Sequence, residues 1–566
     1  MSLLTPEALE ALLGDPGDNT NPYGFAAAVE RDERDEFPAT LCEALVKSGF
    51  HLNYLPAEWG GCFESFDRSL TLVRSAARRD VNIMPGTMFS IVAATCLQLH
   101  GTEEQQRRAA DILTRGGGVG FALTEAEHGS DLLANEVRLT DGKLNGEKWM
   151  VGLGMSCEAV YVIARTGERA APNAFSAVLI DVAEVPEGQL ERTPAVRTGG
   201  MRGIDLARLR FTGLQVPDGA LVGREGEGLE AAVKAQQAVR LMSMAGSLGV
   251  ADTAVRLALD FATTRRIGRA VLTESPHPRR ELSVAAAALL AADTVALTAA
   301  RGIHVVPEAF SVWALAAKHV VAEASDELIR RCGSVLATRS VLRDGERGAG
   351  LFQKLQRDSA VVRVIDASTL ANLRSYAGQL PTLTEGQAQP DPEAVATVYS
   401  LGTELPEYEP ARLDMFARGV DPVLAGLPDA AAEAVKALGE SDAPVAALVE
   451  QLAAAVAGLG DLTRAARKPG ADPNALVDAA ERYAWLHAAA SGVHLWQANR
   501  DRSLYGTEPG SAGWLGAMLG YLLARADGTD PRHLGDLLLP ALDAVVALRE
   551  GNRLFTALPV RLATIR

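Results

Sequence analysis

Phe121-Ala-Leu-Thr-Glu-Ala-Glu-His-Gly-Ser-Asp131 is the stretch from which the rest of the chain can be read. The apolar run Val119 to Leu123 has the composition of a strand, and it empties into a loop carrying Thr124, Glu125, Gly129 and Ser130. Gly129 lets the backbone approach a planar ligand closely or take a positive φ. Short hydroxyls beside it can donate to carbonyl and ring-nitrogen acceptors, and loops set on a rigid sheet are where binding groups usually sit. Taken alone, the segment also suits an ordinary turn of small polar residues. Two further segments follow it in order: Asn145-Gly-Glu-Lys-Trp149, then Gly199-Gly-Met-Arg202-Gly203 with Val216-Pro217 downstream.

Around this stretch lie 566 residues, too many for one core, and the length suggests about three to four domains. The hydrophobic share of 48% supports ample core, and the net charge of −16 argues against nucleic acid or an anionic membrane surface as partner. Cys42, Cys62, Cys96, Cys157 and Cys332 are scattered, without a CxxC pair or a cluster with His, which fits structural thiols in a reducing compartment and no metal. The first residues lack a basic, apolar leader pattern, and no run reaches the ~18 uninterrupted apolar residues of a membrane span. The expectation is a cytoplasmic protein without an integral membrane segment.

The pattern along the chain is α+β. Residues 1–117 read as an N-terminal helical domain, with helical spacing over Ala39 to Ser48 and Leu70 to Arg79. Residues 118–226 carry short strand-like runs (Val160 to Arg165, Ala177 to Val182, Arg208 to Thr212), spaced as in a small antiparallel barrel or sandwich. Residues 227–380 hold four long amphipathic segments, Leu229 to Thr264, Arg280 to Gly302, Phe310 to Arg331 and Phe352 to Ser375, which suggest a four-helix bundle. Pro381 to Pro392 reads as a linker, and residues 381–566 as a further helical domain. There, Asp442 and Asn474 are placed like helix caps, and Trp485, His487, His494 and Trp496 read as a packed aromatic stripe on one helix.

The three ordered segments, with Pro56-Ala-Glu58-Trp-Gly60-Gly61 before them, resemble the acyl-CoA dehydrogenase family over roughly residues 20–380. The C-terminal residues resemble the helical extension of some long-chain members. The resemblance implies FAD, with Phe121, Leu123, Thr124, Gly129, Ser130, Trp149, Met150 and Gly152 at the flavin. Arg265-Arg-Ile-Gly268 resembles the pyrophosphate-binding "R-x-Q-F-G" with one residue fewer, and Arg330-Arg-Cys-Gly333-Ser334 a shortened "Q-x-x-G-G-x-G". Where the family pattern has a Thr facing flavin N5, this chain has Gly152.

Dehydrogenating a thioester at Cα–Cβ needs a carboxylate base in a dry pocket and a hydride acceptor. The family's "R-D-x₇-E-G-T" segment corresponds to Arg357-Asp358 followed by Asp366-Ala367-Ser368, which puts Asp366 at the base and Ser368 at the Thr. An Asp reaches about 1.5 Å less than a Glu. Asp366 before Ala-Ser-Thr also suits a helix N-cap. Some relatives place the base just before an Arg of the first bundle helix, but Ala238-Val-Arg240 offers no carboxylate. The resemblance therefore implies α,β-dehydrogenation of an acyl thioester, on coenzyme A or an acyl carrier protein, with an electron-transfer flavoprotein or O₂ as electron acceptor. A flavin oxidase or monooxygenase, and a non-catalytic interaction protein with a degenerate site, are the other readings. Ala-rich bundle helices such as Val284 to Thr298, together with the family's cofactor site shared between subunits, imply a homodimer or homotetramer.

Overall fold

The computed structural model describes residues 4–168, 171–343, 350–365, 368–386 and 391–563. Seven helices open the chain: α1 (Pro6–Leu13), α2 (Phe25–Glu33), α3 (Ala39–Lys47), α4 (Phe66–Ala77), α5 (Ile83–Met88), α6 (Ile91–His100) and α7 (Glu103–Thr114). Local chemistry sets their ends. Thr102 caps α7 in a capping box with Gln105. The Gln105 amide reaches on to the carbonyls of Gly219 and Leu221, which joins this domain to the next.

The middle domain is one eight-stranded sheet: β1 (Val119–Ala122), β2 (Arg138–Thr140), β3 (Lys143–Gly152), β4 (Ala159–Arg165), β5 (Phe175–Asp181), β6 (Leu190–Pro194), β7 (Leu206–Gln215) and β8 (Leu221–Val222). The order is β6-β7-β3-β2-β4-β5-β8, with β1 on β4. All of β4 is buried, as its nearly unbroken apolar run requires. The expected antiparallel barrel or sandwich needs correcting. β1 and β2 run parallel to β4, and among the described residues no pairing joins the end strands β6 and β8.

A 37-residue helix, α8 (Gly228–Thr264), leads into a small hairpin, β9 (Arg266–Ile267) and β10 (Ala270–Val271), then α9 (Pro276–Val305), α10 (Phe310–Leu336), α11 (Leu351–Val364) and α12 (Thr369–Glu385). Gly249 lets α8 touch α4: a Cβ there would stand 2.9 Å from the Arg74 carbonyl. Two boundaries differ from the sequence reading. Phe352 to Ser375 is two helices, parted after Ile365, and α12 runs through Pro381, so residue 380 lies inside a helix rather than at a linker.

The extension comprises α13 (Pro392–Tyr399), α14 (Pro422–Ala425), α15 (Leu427–Leu438), α16 (Ala443–Ala457), α17 (Leu459–Ala466), α18 (Ala475–Ala498), α19 (Gly513–Ala526) and α20 (Leu539–Glu550). Asp442 and Asn474 stand at N-cap positions without a side-chain capping bond. The stripe on α18 is buried, with His487 on Asp421 (3.0 Å) and His494 on the Val423 carbonyl (2.9 Å).

Helices α18, α19 and α20 pack on α9, and every residue from Glu281 to His304 is buried. This corrects the reason given for self-association, because the apolar length of α9 is covered within one chain. It also qualifies the expectation of no membrane segment. Ile83–His100, Pro276–Val305 and Ala443–Ala466 have the length and hydropathy of a span, but the most apolar window of Pro276–Val305 is wholly interior.

Candidate functional site

The chain leaves the sheet after β1 and turns through Thr124 to Asp131, directly beside β3, where the Trp149 N–H donates to the Thr124 carbonyl at 2.9 Å. A buried ion pair anchors this loop from below. Lys148 Nζ donates to Glu125 Oε1 (2.8 Å) and the Leu123 carbonyl (2.9 Å), while Glu125 accepts the N–H groups of Glu136 (2.6 Å) and Val137 (3.0 Å). Burial pushes the Lys148 ammonium down to about 8 against the pull of Glu125. Leu123 faces inward, so its part is to hold the anchor through its carbonyl. Above it Thr124 is half-buried, and Gly129 and Ser130 are exposed. Gly129 has φ +53° with open space where a side chain would be. Neither hydroxyl is engaged in a hydrogen bond among the described residues.

On β3 the register slips by one residue between Lys148 and Val151, a β-bulge with Met150 at φ +56°. Bulges re-aim side chains, and here Trp149 and Met150 are both left half-buried. Leu153, at φ +59°, is a second left-handed non-glycine residue, so Gly152 sits between two strained positions. Gly152 pairs with Leu206 on β7. The half-buried ring of Phe121 stacks on Tyr161 with centroids 5.8 Å apart. Phe121, Thr124, Gly129, Ser130, Trp149, Met150 and Gly152 thus gather along two neighbouring strands and one loop. Their open hydroxyls and half-covered aromatic and thioether side chains fit the flavin that the sequence implies, with no hydroxyl at position 152.

The sequence reading names Glu125 in the loop but not its pairing with Lys148, although a signal existed. Lys148 shares the alternate register of buried Leu144, and a lysine facing inward requires a carboxylate partner.

The helical side is joined to the sheet by the Gly199–Gly203 segment. A Cβ on Gly200 would stand 2.1 Å from the Arg357 carbonyl, and the Met201 N–H donates to buried Asp358 at 2.6 Å. Arg357 itself bonds the Gly199 carbonyl (2.8 Å) and Asp32 (2.5 Å). The Arg357-Asp358 pair therefore fixes α11 in place. Beyond α11, Glu323 accepts from Arg363 (2.5 Å) and the Thr369 hydroxyl (2.9 Å), pinning both ends of the connection to α12. Buried Lys318 reaches Ser243 (3.2 Å) and the Val362 carbonyl (3.1 Å) from α10, another group the sequence reading missed. Asp366 and Ala367 lie outside the described residues. The cap of α12 is Ser368, whose Oγ accepts the Ala371 N–H at 3.3 Å.

Arg265 and Gly268 do not join the loop. Gly228, at the start of α8, packs on Ser176 and Ala177, and a helix of this length extends about 55 Å to the exposed hairpin that carries them. Gly333 lies within α10, where a Cβ would meet Phe352 and Gln356 at 3.4 Å, an ordinary contact distance.

Comparison with known proteins places this geometry. Residues 25–117, 120–214 and 226–369 match the models of the N-terminal, middle and C-terminal domains of acyl-CoA dehydrogenase. An acyl-CoA dehydrogenase of Bacillus subtilis is 28% identical over 262 residues, which is 43% of this chain and 66% of that protein. An acyl-CoA dehydrogenase of Bacillus anthracis complexed with FAD shares the fold almost end to end, extension included: 98% of each chain, TM-score 0.69, 17% identity. The butyryl-CoA dehydrogenase of Megasphaera elsdenii covers 66% of this chain, with 97% of its own length, TM-score 0.59 and 19% identity. With all three domains matched in order, and the Thr124 loop, the β3 bulge and the Arg357-Asp358 joint each falling in its expected domain, the chain belongs to the acyl-CoA dehydrogenase family.

Proposed function

We propose that this chain is an FAD-dependent dehydrogenase that removes hydrogen from Cα and Cβ of an acyl thioester carried on coenzyme A or an acyl carrier protein. The observation that carries the reading is the meeting of the Thr124–Ser130 loop with the Trp149–Met150 bulge over the buried Lys148–Glu125 pair. Thr124 and Ser130 would donate to the polar edge of the cofactor, and Trp149 and Met150 would cover a ring face, Met through its polarisable sulfur. Bound FAD would supply the hydride acceptor. The α-proton is assigned to Asp366, the only carboxylate that the family pattern offers. Support comes from the described residues on either side of it, where Glu323 accepts from both Arg363 and Thr369.

The hairpin with Arg265 and Gly268 would serve the pyrophosphate of a second copy's cofactor, which makes the working form a homodimer. An electron-transfer flavoprotein would then reoxidise the cofactor.

Anaerobic titration of the holoprotein with acyl-CoAs of varied chain length and with an acyl-carrier thioester tests the reading. Bleaching of the flavin's visible absorbance by one of them is expected. FAD that no thioester bleaches would overturn the dehydrogenase assignment, and a colourless protein that cannot be reconstituted would overturn the cofactor.

A further inference from the structure

The volume that a side chain at position 152 would need is already filled. An ideal Cβ on Gly152 lies 2.3 Å from Phe89 Cδ2, 2.7 Å from Cε2 and 3.1 Å from Cγ. The ring comes from a different domain and is held where it is. Phe89 closes α5, and the next residue, Ser90, opens α6 and accepts the Val119 N–H through Oγ at 2.9 Å. Val119 begins β1, the strand that delivers Thr124, so the ring and the loop share one rigid support. Phe89 is nevertheless only half-buried. A cavity of about 640 Å³ runs along the same turn, lined by Pro85, Gly86, Thr87 and Ser90 and, next to Gly152, by Leu153.

We propose that Phe89 takes the place of the missing side chain at position 152 and bounds the acyl compartment at the edge of the flavin, restricting the substrate to short acyl groups. The inference rests on the thioester-dehydrogenase reading above. A phenyl ring offers an apolar wall and no hydrogen bond, so it does not replace the family's hydroxyl as a donor; what it supplies is shape. Its neighbour's bond to Val119 resists displacement, and a chain extending past the reacting carbons on this side meets the ring. Gly152 and Phe89 form a coupled pair: the glycine is required because the ring is there.

Four holoproteins test it: wild type, G152T, F89A and the double variant F89A/G152T. The first readout is FAD per chain and melting temperature, without substrate. G152T is expected to lose both, since its Cβ would overlap the ring, and F89A/G152T is expected to recover them. The second readout is the Kd of butyryl-CoA and octanoyl-CoA from anaerobic perturbation of the flavin spectrum. Each added methylene that becomes buried tightens binding about fourfold. F89A should therefore favour octanoyl-CoA over butyryl-CoA by roughly tenfold or more, whereas wild type should not. An unchanged chain-length preference in FAD-replete F89A, or a G152T protein as stable and FAD-replete as wild type, would overturn the assignment. Failure of the underlying reading looks different: wild-type protein that lacks FAD, or FAD perturbed by neither thioester, removes that reading and this assignment with it.

Discussion

Replacing Asp252 by Asn should release the end of the chain from the body of the protein. Asp252, on α8, is fully buried. It accepts from Arg256 (2.7 Å), Arg78 (2.8 Å) and the Phe555 N–H (3.0 Å), with the Arg74 guanidinium at 3.8 Å. Arg74 in turn donates to the Phe555 carbonyl (2.6 Å) and pairs with Asp293, which accepts the Ala557 N–H (3.0 Å). The last described segment is thereby strapped across helices of two domains. Burial alone would raise the Asp252 carboxyl, but Arg256, Arg78 and Arg74 hold it at about 2. Against the ordinary value of 3.8 this is worth about 2 kcal/mol. Because the folded value is the lower one, that stability is complete above the ordinary carboxylate range and is lost as pH falls through about 2. Asn removes the charge at every pH and turns an amide N–H toward guanidinium donors, so breaking this buried network should cost about 3–5 kcal/mol. Hydrogen exchange should speed up over residues 551–563, first at Phe555, and the melting temperature should fall by roughly 5 °C. Unchanged exchange in that segment together with an unchanged melting temperature would refute the clamp.

Asp366→Asn should keep FAD and the fold, since Ser368 does the capping, yet lower turnover by about 10²–10⁴-fold; Asp366→Glu should retain activity, and both are read by steady-state rates on the best thioester. Thr124→Val should weaken FAD binding by roughly 3- to 10-fold, the net worth of one hydrogen bond, in a fluorescence titration of apoprotein. Glu125→Gln strands buried Lys148 without its carboxylate, so it should cost several kcal/mol in the middle domain and lower retained FAD, measured as flavin per chain after gel filtration. Removing residues 387–566 exposes the apolar face of α9 and should yield aggregated protein by light scattering, whereas a soluble, FAD-bound product would show that the extension is not needed to cover it.

What the sequence determined by itself was local. Strand β1 and its polar loop, the long bundle helices and the helical extension follow from apolar periodicity and from Gly and Pro punctuation, which act over a few residues. The residues around Thr124 and Trp149 could be singled out for the same reason, because binding groups occupy short ordered segments. Tertiary structure decided what depends on a partner distant in the chain. Periodicity and Ala-rich composition marked α9 as having apolar faces to bury, without saying that α18, α19 and α20 of the same chain would cover them. The strand runs gave composition but not direction, so the parallel pairing of β1 and β2 with β4 emerged only with the sheet assembled. Gly152 read as a missing hydroxyl, and only packing revealed the ring of Phe89 in its place, 63 residues away in sequence. Contacts of that kind are set by how whole domains close on one another, and no local pattern records them.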